Sequence, residues 1–382
     1  MHRDPRFDDI RPYYDEEVPA AMQRIAASPY FPQLSAYVFP EMPVEQAREM
    51  VAGIRTVDEF QTRVMWYVNL QVIRRSISEL TWSGAEGLSP EKRYLFVSNH
   101  RDIMLDASLL QNILHIEGHE TSEISFGANL MSSQLLVDIG CSNKMFRVER
   151  GGTVREMYNS SVHLSEYIRY AIGQKNQSVW IAQRNGRTKN GDDRTDQGVI
   201  KMFGMSSRED PVEALDSLHI APVSVSYEWE PCDVAKALEL YCSRAGAYVK
   251  KPGEDLTSIL TGLLSPKGRV HFTFCPPLRR EELSALSGCP SVEFNRKVAE
   301  LVDRRIWSGY KLTPNNFIAY DLCKWEQRYL GVRYTEEDRS RFLDHLDTLG
   351  KCGVEEPDVL RDIFLQIYAR PVDNCLEGSS QE

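Results

Sequence analysis

Residues 91–280 alternate between short apolar runs and segments whose apolar residues fall at helical spacing, and this alternation limits the folds open to the chain. The apolar runs predict strands at 94–98, 123–127, 145–149, 178–183, 219–228 and 269–275. The segments between them predict helices near 103–115, 153–174, 197–204, 211–217, 233–245 and 256–264. Because strands that alternate with helices are typical of α/β proteins, we predict a mainly parallel mixed sheet flanked by helices.

The regions on either side of this alternation indicate helices. We predict an N-terminal helical region at 1–88, an α/β domain at 89–280 and a C-terminal helical region at 281–382. The strongest N-terminal helix is predicted at Val57–Leu80, with a pattern typical either of an amphipathic helix on a membrane or of a helix packed on the core. C-terminal helices are predicted at 293–310, 316–329, 336–349 and 357–368, followed by a frayed tail at 371–382.

Composition excludes several classes of protein. The formal net charge of −10 argues against nonspecific nucleic-acid binding as the main role, since that requires a basic surface. The eight cysteines are scattered without CxxC spacing, which predicts neither a disulfide framework nor a zinc site and favours a cytoplasmic protein with reduced thiols. No run approaches the ~18 apolar residues of a transmembrane helix, so any membrane contact is expected to be peripheral.

A histidine and two acids follow the first strand of the α/β region. The strand stops at Ser98-Asn99, and His100, Asp102 and Asp106 then fall at the turn into a helix. Active sites of open α/β sheets lie at such turns. A histidine beside a carboxylate is a candidate general base with its orienting partner. The alternative interpretation is a polar loop whose acids only cap the helix.

Basic residues concentrate in the middle of the α/β region. Between 144 and 201 the chain has 11 Lys and Arg against 6 Asp and Glu, a local excess of five positive charges. Arg150 ends a strand just before two glycines, and a loop after the next strand carries Arg184, Arg187 and Lys189. Cations beside a strand end and a helix N-terminus suit a phosphate or carboxylate, although the same excess would suit docking of an acidic protein.

Four short blocks in order resemble the glycerolipid acyltransferase superfamily, which includes glycerol-3-phosphate and 1-acylglycerol-3-phosphate acyltransferases. That family carries Asn-His-x4-Asp, a strand ending in Arg, Glu-Gly-x-Arg-Ser after a strand, and an apolar strand with Pro. The counterparts are Asn99-His100 with Asp106, Phe146 to Arg150, Asn185-Gly186-Arg187-Thr188 and Ala221-Pro222-Val223. Flanking residues resemble a bacterial branch of the family, and the resemblance covers residues 90–280.

Two positions differ from the family's pattern. The family acid lies five positions after the histidine, where this chain has Leu105, whereas Asp106 lies six positions after it. One inserted residue in the first helical turn would restore the pairing, and Asp102 is the alternative partner. Asn185 stands where the family has Glu, and Arg187 follows the glycine one place early. These differences concern the identity of the acceptor more than the fold.

The resemblance implies an acyltransferase in which His100 takes a proton from the acceptor as it attacks an acyl thioester. Asp106, or else Asp102, would hold the imidazole. The residues implied to bind the acceptor are Arg150, Arg184, Asn185, Gly186, Arg187 and Lys189. The donor would be acyl-CoA or acyl carrier protein, and neither a metal nor a redox cofactor is implied.

The implied acceptor is glycerol 3-phosphate or a lysophospholipid, a precursor in phospholipid biosynthesis. A bacterial protein of this kind would lie in the cytoplasm, with peripheral contacts to the cytoplasmic face of the inner membrane. Two alternatives stay open at this point. One is acylation of an amino-acid-derived lipid acceptor, and the other is a non-catalytic protein that binds lipid or acyl carrier protein on the same fold.

Overall fold

A seven-stranded mixed sheet forms the centre of the protein. The computed structural model describes residues 3–149, 151–246, 248–251 and 253–379. The strands are β1 (Ile77–Ser83), β2 (Leu95–Ser98), β3 (Glu123–Gly127), β4 (Met145–Val148), β5 (Val179–Ala182), β6 (Ile220–Tyr227) and β7 (Gly268–Phe274). Their order across the sheet is β1-β7-β6-β2-β5-β3-β4. The prediction of a mainly parallel α/β sheet is therefore confirmed.

Strand direction decides where functional groups collect. Strands β6, β2, β5, β3 and β4 are mutually parallel, whereas β7 runs antiparallel to β6 and parallel to β1. The carboxyl ends of five strands consequently meet at one edge of the sheet. In open α/β sheets this edge is where ligands bind.

Helices cover both faces and extend the chain at each end. They are α1 (Val18–Ala27), α2 (Phe31–Val38), α3 (Val44–Ala52), α4 (Val57–Phe60), α5 (Trp66–Ser76), α6 (Leu105–Ile116), α7 (Gln134–Ser142), α8 (Val154–Gly173), α9 (Gln197–Gly204), α10 (Pro211–Asp216), α11 (Asp233–Ser243), α12 (Glu254–Leu264), α13 (Arg280–Ser284), α14 (Ser291–Ser308), α15 (Pro314–Lys324), α16 (Glu336–Leu346) and α17 (Pro357–Ser379). Within the described ranges, no helix is both long enough and apolar enough to cross a membrane.

The central strand β2 is buried on both faces, which explains why it reads as a continuous apolar run. Leu95 and Val97 lie in the core formed with α8 and α14, whereas Phe96 lies in the opposite core with α6. The alternation of side chains along the strand puts these residues on opposite faces. Residues 99–104, which follow β2, are thereby anchored between the two cores.

Two predictions of secondary structure are wrong in part, and one helix was not predicted. The helix predicted at Val57–Leu80 ends at Ser76, and the chain continues as strand β1, which pairs with β7. The tail predicted to fray at 371–382 is helical to Ser379, because α17 continues through Pro371 and buries Val372; residues 380–382 lie outside the described residues. Helix α7 lies in a stretch for which no element was predicted.

Helix α5 packs on the α/β core. Its Val72 is fully buried, and the buried Asn69 side chain donates a hydrogen bond to Asn112 Oδ1 on α6 at 2.6 Å. The same helix exposes Tyr67 and Arg74 on its other side. The N-terminal helix is thus attached to the helix that carries the candidate catalytic acid.

Candidate active site

His100 and Asp106 form a hydrogen-bonded pair at the carboxyl end of β2, hereafter the dyad. His100 Nδ1 lies 2.8 Å from Asp106 Oδ2. A carboxylate can only accept, so Nδ1 carries the hydrogen and Nε2 keeps its lone pair. Within the part of the chain that the structure describes, no protein group is hydrogen bonded to Nε2. The arrangement leaves Nε2 able to accept a proton.

Asp106 is held by three further donors. The backbone N–H groups of Arg101 and Asp102 donate to Oδ2 at 2.6 and 2.9 Å, and the Tyr227 hydroxyl donates to Oδ1 at 2.8 Å. Its side chain is 1% exposed. Hydrogen bonds to a buried carboxylate offset the cost of taking its charge out of water. Tyr227 itself is buried at the end of β6, and burial raises the pKa of its hydroxyl.

Asp102, the alternative partner, has another role in the structure. Its Oδ1 accepts from the N–H groups of Met104 and Leu105 at 2.8 and 2.9 Å, so it binds the backbone where the turn enters α6. Burial, followed by the nearby Asp106 charge, raises the pKa of Asp102. Of the two acids, Asp106 is the one that contacts the histidine.

The turn 101–104 accommodates the extra residue between His100 and its acid. Helix α6 begins at Leu105, two residues later than the pattern predicted, and Asp106 occupies its first turn. The additional residue therefore lies before the helix and leaves the helix itself regular. An acid in the first turn of a helix also benefits from the positive end of the helix dipole.

Side-chain contacts fix the turn to the neighbouring strands. Asn99 pairs with the backbone of Val225 on β6, accepting from its N–H at 2.8 Å and donating to its carbonyl at 2.9 Å. Arg101 is buried and donates to Asp193 at 2.6 Å and to Glu230 at 3.2 Å. A buried arginine with two carboxylate partners is costly to disrupt, so the backbone before the dyad is rigid.

The loop after β5 reaches the dyad through its backbone. The Thr188 N–H donates to the His100 carbonyl at 2.7 Å. Gly186 takes a φ of 75°, a left-handed conformation that favours glycine, where the loop turns. The predicted acceptor residues of this loop consequently lie on a segment bonded directly to the catalytic turn.

The three predicted cations of the loop after β5 lie in different surroundings. Arg184 lies beside a large cleft, as does Asn185. Arg187 lies near Asp102 and Cys232, and its Nη1 is buried without a hydrogen-bond partner. Lys189 is ion-paired with Glu239 on α11. Arg187 is therefore the loop cation that retains an unmatched donor next to the catalytic turn.

The cleft has a volume of about 620 Å³ and lies at the same edge of the sheet, between α8 and α9. Phe126 and Leu164 contribute apolar surface, and Arg147, Arg184 and Asn185 contribute polar groups. His100 and Asp106 do not line it. The dyad and the cleft are neighbours through β5, because Ala182 lines the cleft and pairs in register with Ser98 of β2.

Arg150, the arginine predicted to end the second strand, lies outside the described residues. Three residues near the site were not predicted to belong to it. Arg147 lies in the cleft, and its position inside a strand gave no signal of that. The buried carboxylate of Asp193 accepts hydrogen bonds from Asn99, Arg101 and the Tyr310 hydroxyl. Tyr227 donates to the carboxylate of the dyad, and its position at a strand end was the available signal.

Comparison with known proteins finds similarity among solved structures. No protein-family model matches the chain, and no curated protein matches it. Among solved structures, the chain is similar to the crystal structure of the 1-acyl-sn-glycerophosphate (LPA) acyltransferase PlsC from Thermotoga maritima. The match covers 77% of this chain and 96% of that one, at 15% sequence identity and a TM-score of 0.33. Functional conclusions therefore depend on the geometry of the site itself.

Proposed function

We propose that this protein is an acyltransferase that moves a fatty acyl group from a thioester to the hydroxyl group of glycerol 3-phosphate or a lysophospholipid. The donor is acyl-CoA or acyl carrier protein. The observation that carries the proposal is the dyad, in which His100 Nδ1 is bound to a buried carboxylate while Nε2 has no protein partner in the described ranges. The four sequence blocks that resemble glycerolipid acyltransferases support the same reaction.

The reaction follows from the proton balance at Nε2. His100 Nε2 takes the proton of the acceptor hydroxyl as the oxygen attacks the thioester carbonyl and forms a C–O bond. Asp106 keeps the ring in the required tautomer and stabilises the imidazolium. The C–S bond then breaks, and the imidazolium returns its proton to the leaving thiolate. The chemistry is complete with the donor, the acceptor and the dyad.

The anionic group of the acceptor needs a cation close to the dyad. We assign this role first to Arg187, because its Nη1 is buried and unpaired near the catalytic turn. Arg184 is the candidate on the side of the cleft, and Arg150 is the counterpart of the arginine that ends the strand in the family's second block. Lys189 contributes less, since Glu239 already neutralises its charge.

The proposal is tested by incubating the protein with labelled acyl-CoA or acyl carrier protein and a panel of acceptors. The panel contains glycerol 3-phosphate, lysophospholipids and amino-acid-derived lipids, and the product is identified by mass. We expect His100→Ala to lose about 10²–10⁴-fold in turnover, which is the range that a positioned general base typically contributes. A matched control is His345→Ala, which removes another histidine bound to an aspartate, Asp233, at 2.7 Å.

Three results would decide against the proposal. Unchanged turnover in the His100→Ala variant would show that His100 is not the base. An equal loss in His345→Ala would indicate a general effect on folding. Lipid binding without turnover of any acceptor by the wild-type protein would favour the non-catalytic alternative on the same fold.

A further inference from the structure

Helix α12 exposes a row of leucines. Leu256, Leu260 and Leu264 lie four residues apart, and they are 53%, 49% and 59% exposed. The spacing places them on one face of the helix, here called the leucine stripe. Val249, which precedes the helix, is 82% exposed. A contiguous apolar surface of this kind on a soluble domain marks an interaction site.

The helix is attached to the carboxyl edge of the sheet, where the dyad lies. Gly262 is its one buried residue, and a Cβ there would lie 2.2 Å from Asp102 Oδ2. Each contact joins α12 to a segment that follows a different strand. The contacts are Gly262 with Asp102 after β2, Asp255 with Asn129 after β3, and Ser258 with Cys232 after β6. A partner bound to the stripe would therefore lie against the edge that carries the site.

Two lysines and two acids lie at the start of the stripe, so the charge there is balanced. Lys250 and Lys251 precede α12, and Lys251 is exposed. The two acids of the first turn are already engaged. Asp255 is ion-paired with Lys250, and Glu254 accepts hydrogen bonds from the Tyr248 hydroxyl and the Lys251 N–H.

The excess of positive charge near the stripe lies on the neighbouring helix, which has two arginines and no acid. Helix α5 packs against α12 and exposes Tyr67, Arg74 and Arg75, and Arg63 is exposed in the π-helical segment before it. Arginines with an interleaved tyrosine are typical of surfaces at the lipid headgroup level. This concentration of exposed cations occurs in a chain whose net charge is −10.

We infer that the leucine stripe of α12 docks on an anionic lipid surface. The inference depends on the proposed function only for the identity of the substrate on which the docked protein acts. The four exposed side chains present on the order of 400 Å², about half of the ~800 Å² that each partner in a stable protein complex buries. A lipid surface needs no complementary partner shape, and insertion of apolar side chains with nearby cations suffices. Docking would present the dyad edge to acceptors held in the bilayer.

The test is sedimentation with vesicles of phosphatidylglycerol and phosphatidylethanolamine, and with vesicles of phosphatidylcholine alone. We expect the variant Leu256→Ser/Leu260→Ser/Leu264→Ser to bind the anionic vesicles at least tenfold more weakly than wild type. A matched control replaces equally exposed apolar residues elsewhere, in Val292→Ser/Val332→Ser/Leu376→Ser. Wild type and control should bind the anionic vesicles alike, and both should bind phosphatidylcholine weakly.

The outcomes separate this inference from the proposed function. Wild-type protein that does not bind anionic vesicles, or a stripe variant that binds as wild type does, would overturn the inference whatever the turnover. A wild-type dimer that the stripe variant makes monomeric would also overturn it, with a second copy as the occupant. Vesicle binding that depends on the stripe would stand even if no acceptor were turned over. If the enzyme is active, the stripe variant should lose turnover of lysophospholipid in vesicles and keep turnover of soluble glycerol 3-phosphate.

Discussion

Asp303 of α14 is a buried carboxyl group that holds the end of the site loop. Its side chain accepts hydrogen bonds at Oδ1 from the Thr195 N–H and hydroxyl, at 2.7 and 2.5 Å, and it is 4% exposed as a residue. Burial raises its pKa from 3.8 to about 7. Replacing it by asparagine keeps an oxygen that can accept both bonds and removes the ionisation.

The sign of the effect follows from proton binding. Between pH 4 and pH 7 the folded state holds a proton on Asp303 that the unfolded state has released. The stabilisation of the wild-type protein is therefore fully present below about pH 4 and is lost as the pH rises towards 7. A shift of about three pKa units corresponds to ~4 kcal/mol at ~1.4 kcal/mol per unit. Asp303→Asn should gain that amount relative to wild type between pH 4 and pH 8.

The measurement is urea unfolding of both proteins across this pH range, followed by tryptophan fluorescence. Asp344→Asn is the control, because it removes the same charge from an exposed aspartate of α16. As the pH rises, the free energy of unfolding should fall equally in wild type and in this control. It should fall less in Asp303→Asn. Parallel pH curves for wild type and Asp303→Asn would refute the reasoning, because they would show that Asp303 ionises equally in both states.

Three further predictions concern the site and its supporting helix. Asp106→Asn should lower turnover on the order of 10³-fold. Asp102→Asn keeps the side-chain oxygen that accepts from the backbone, so it should lower turnover less than about tenfold. Equal losses for the two variants in a steady-state assay would contradict the assignment of the dyad. Tyr227→Phe removes one hydrogen-bond donor from the buried Asp106 carboxylate. The variant should lower kcat about tenfold and shift the pH profile of kcat, with KM unchanged. An unchanged pH profile would assign the Tyr227 hydroxyl a structural role only. Gly262→Ala forces a methyl group against Asp102 and should lower the free energy of unfolding by ~1–3 kcal/mol. Gly173→Ala is the control and should not lower it, because nothing lies within 4 Å of a Cβ there. Equal stability of the two variants in thermal unfolding would show that α12 moves freely away from the turn.

The sheet was predictable because its central strands are buried on both faces. Strands such as β2 read as uninterrupted apolar runs bounded by polar residues, and each of the six predicted strands is present. Strand β1 was missed because only its first residue is buried, the rest are exposed or half-buried without alternation, and it directly follows a helix. Its extended conformation depends on pairing with β7, and that pairing is a tertiary contact that local sequence does not encode.

The sequence predicted which turns and loops carry the residues of the site. It did not predict which side chains pair with one another. Sequence placed His100 and both acids at one turn, since a strand end and a helix start are local signals. The choice of Asp106 depends on how the turn 101–104 is shaped and on Tyr227, which arrives from a strand more than 100 residues later. The pairing of Lys189 with Glu239 likewise joins a loop to a distant helix, so spacing alone could not separate it from Arg187.

The pairing of β1 with β7 has a consequence for how the chain reaches its native state. Residues 77–83 find their partner in residues 268–274, so this edge of the sheet closes late during synthesis. Until β7 has been made, β1 presents unpaired backbone groups that can pair with another chain. A nascent chain that stops before residue 268 would carry an open edge and a strong tendency to aggregate. Long-range closure of this kind also predicts slow refolding after dilution from denaturant.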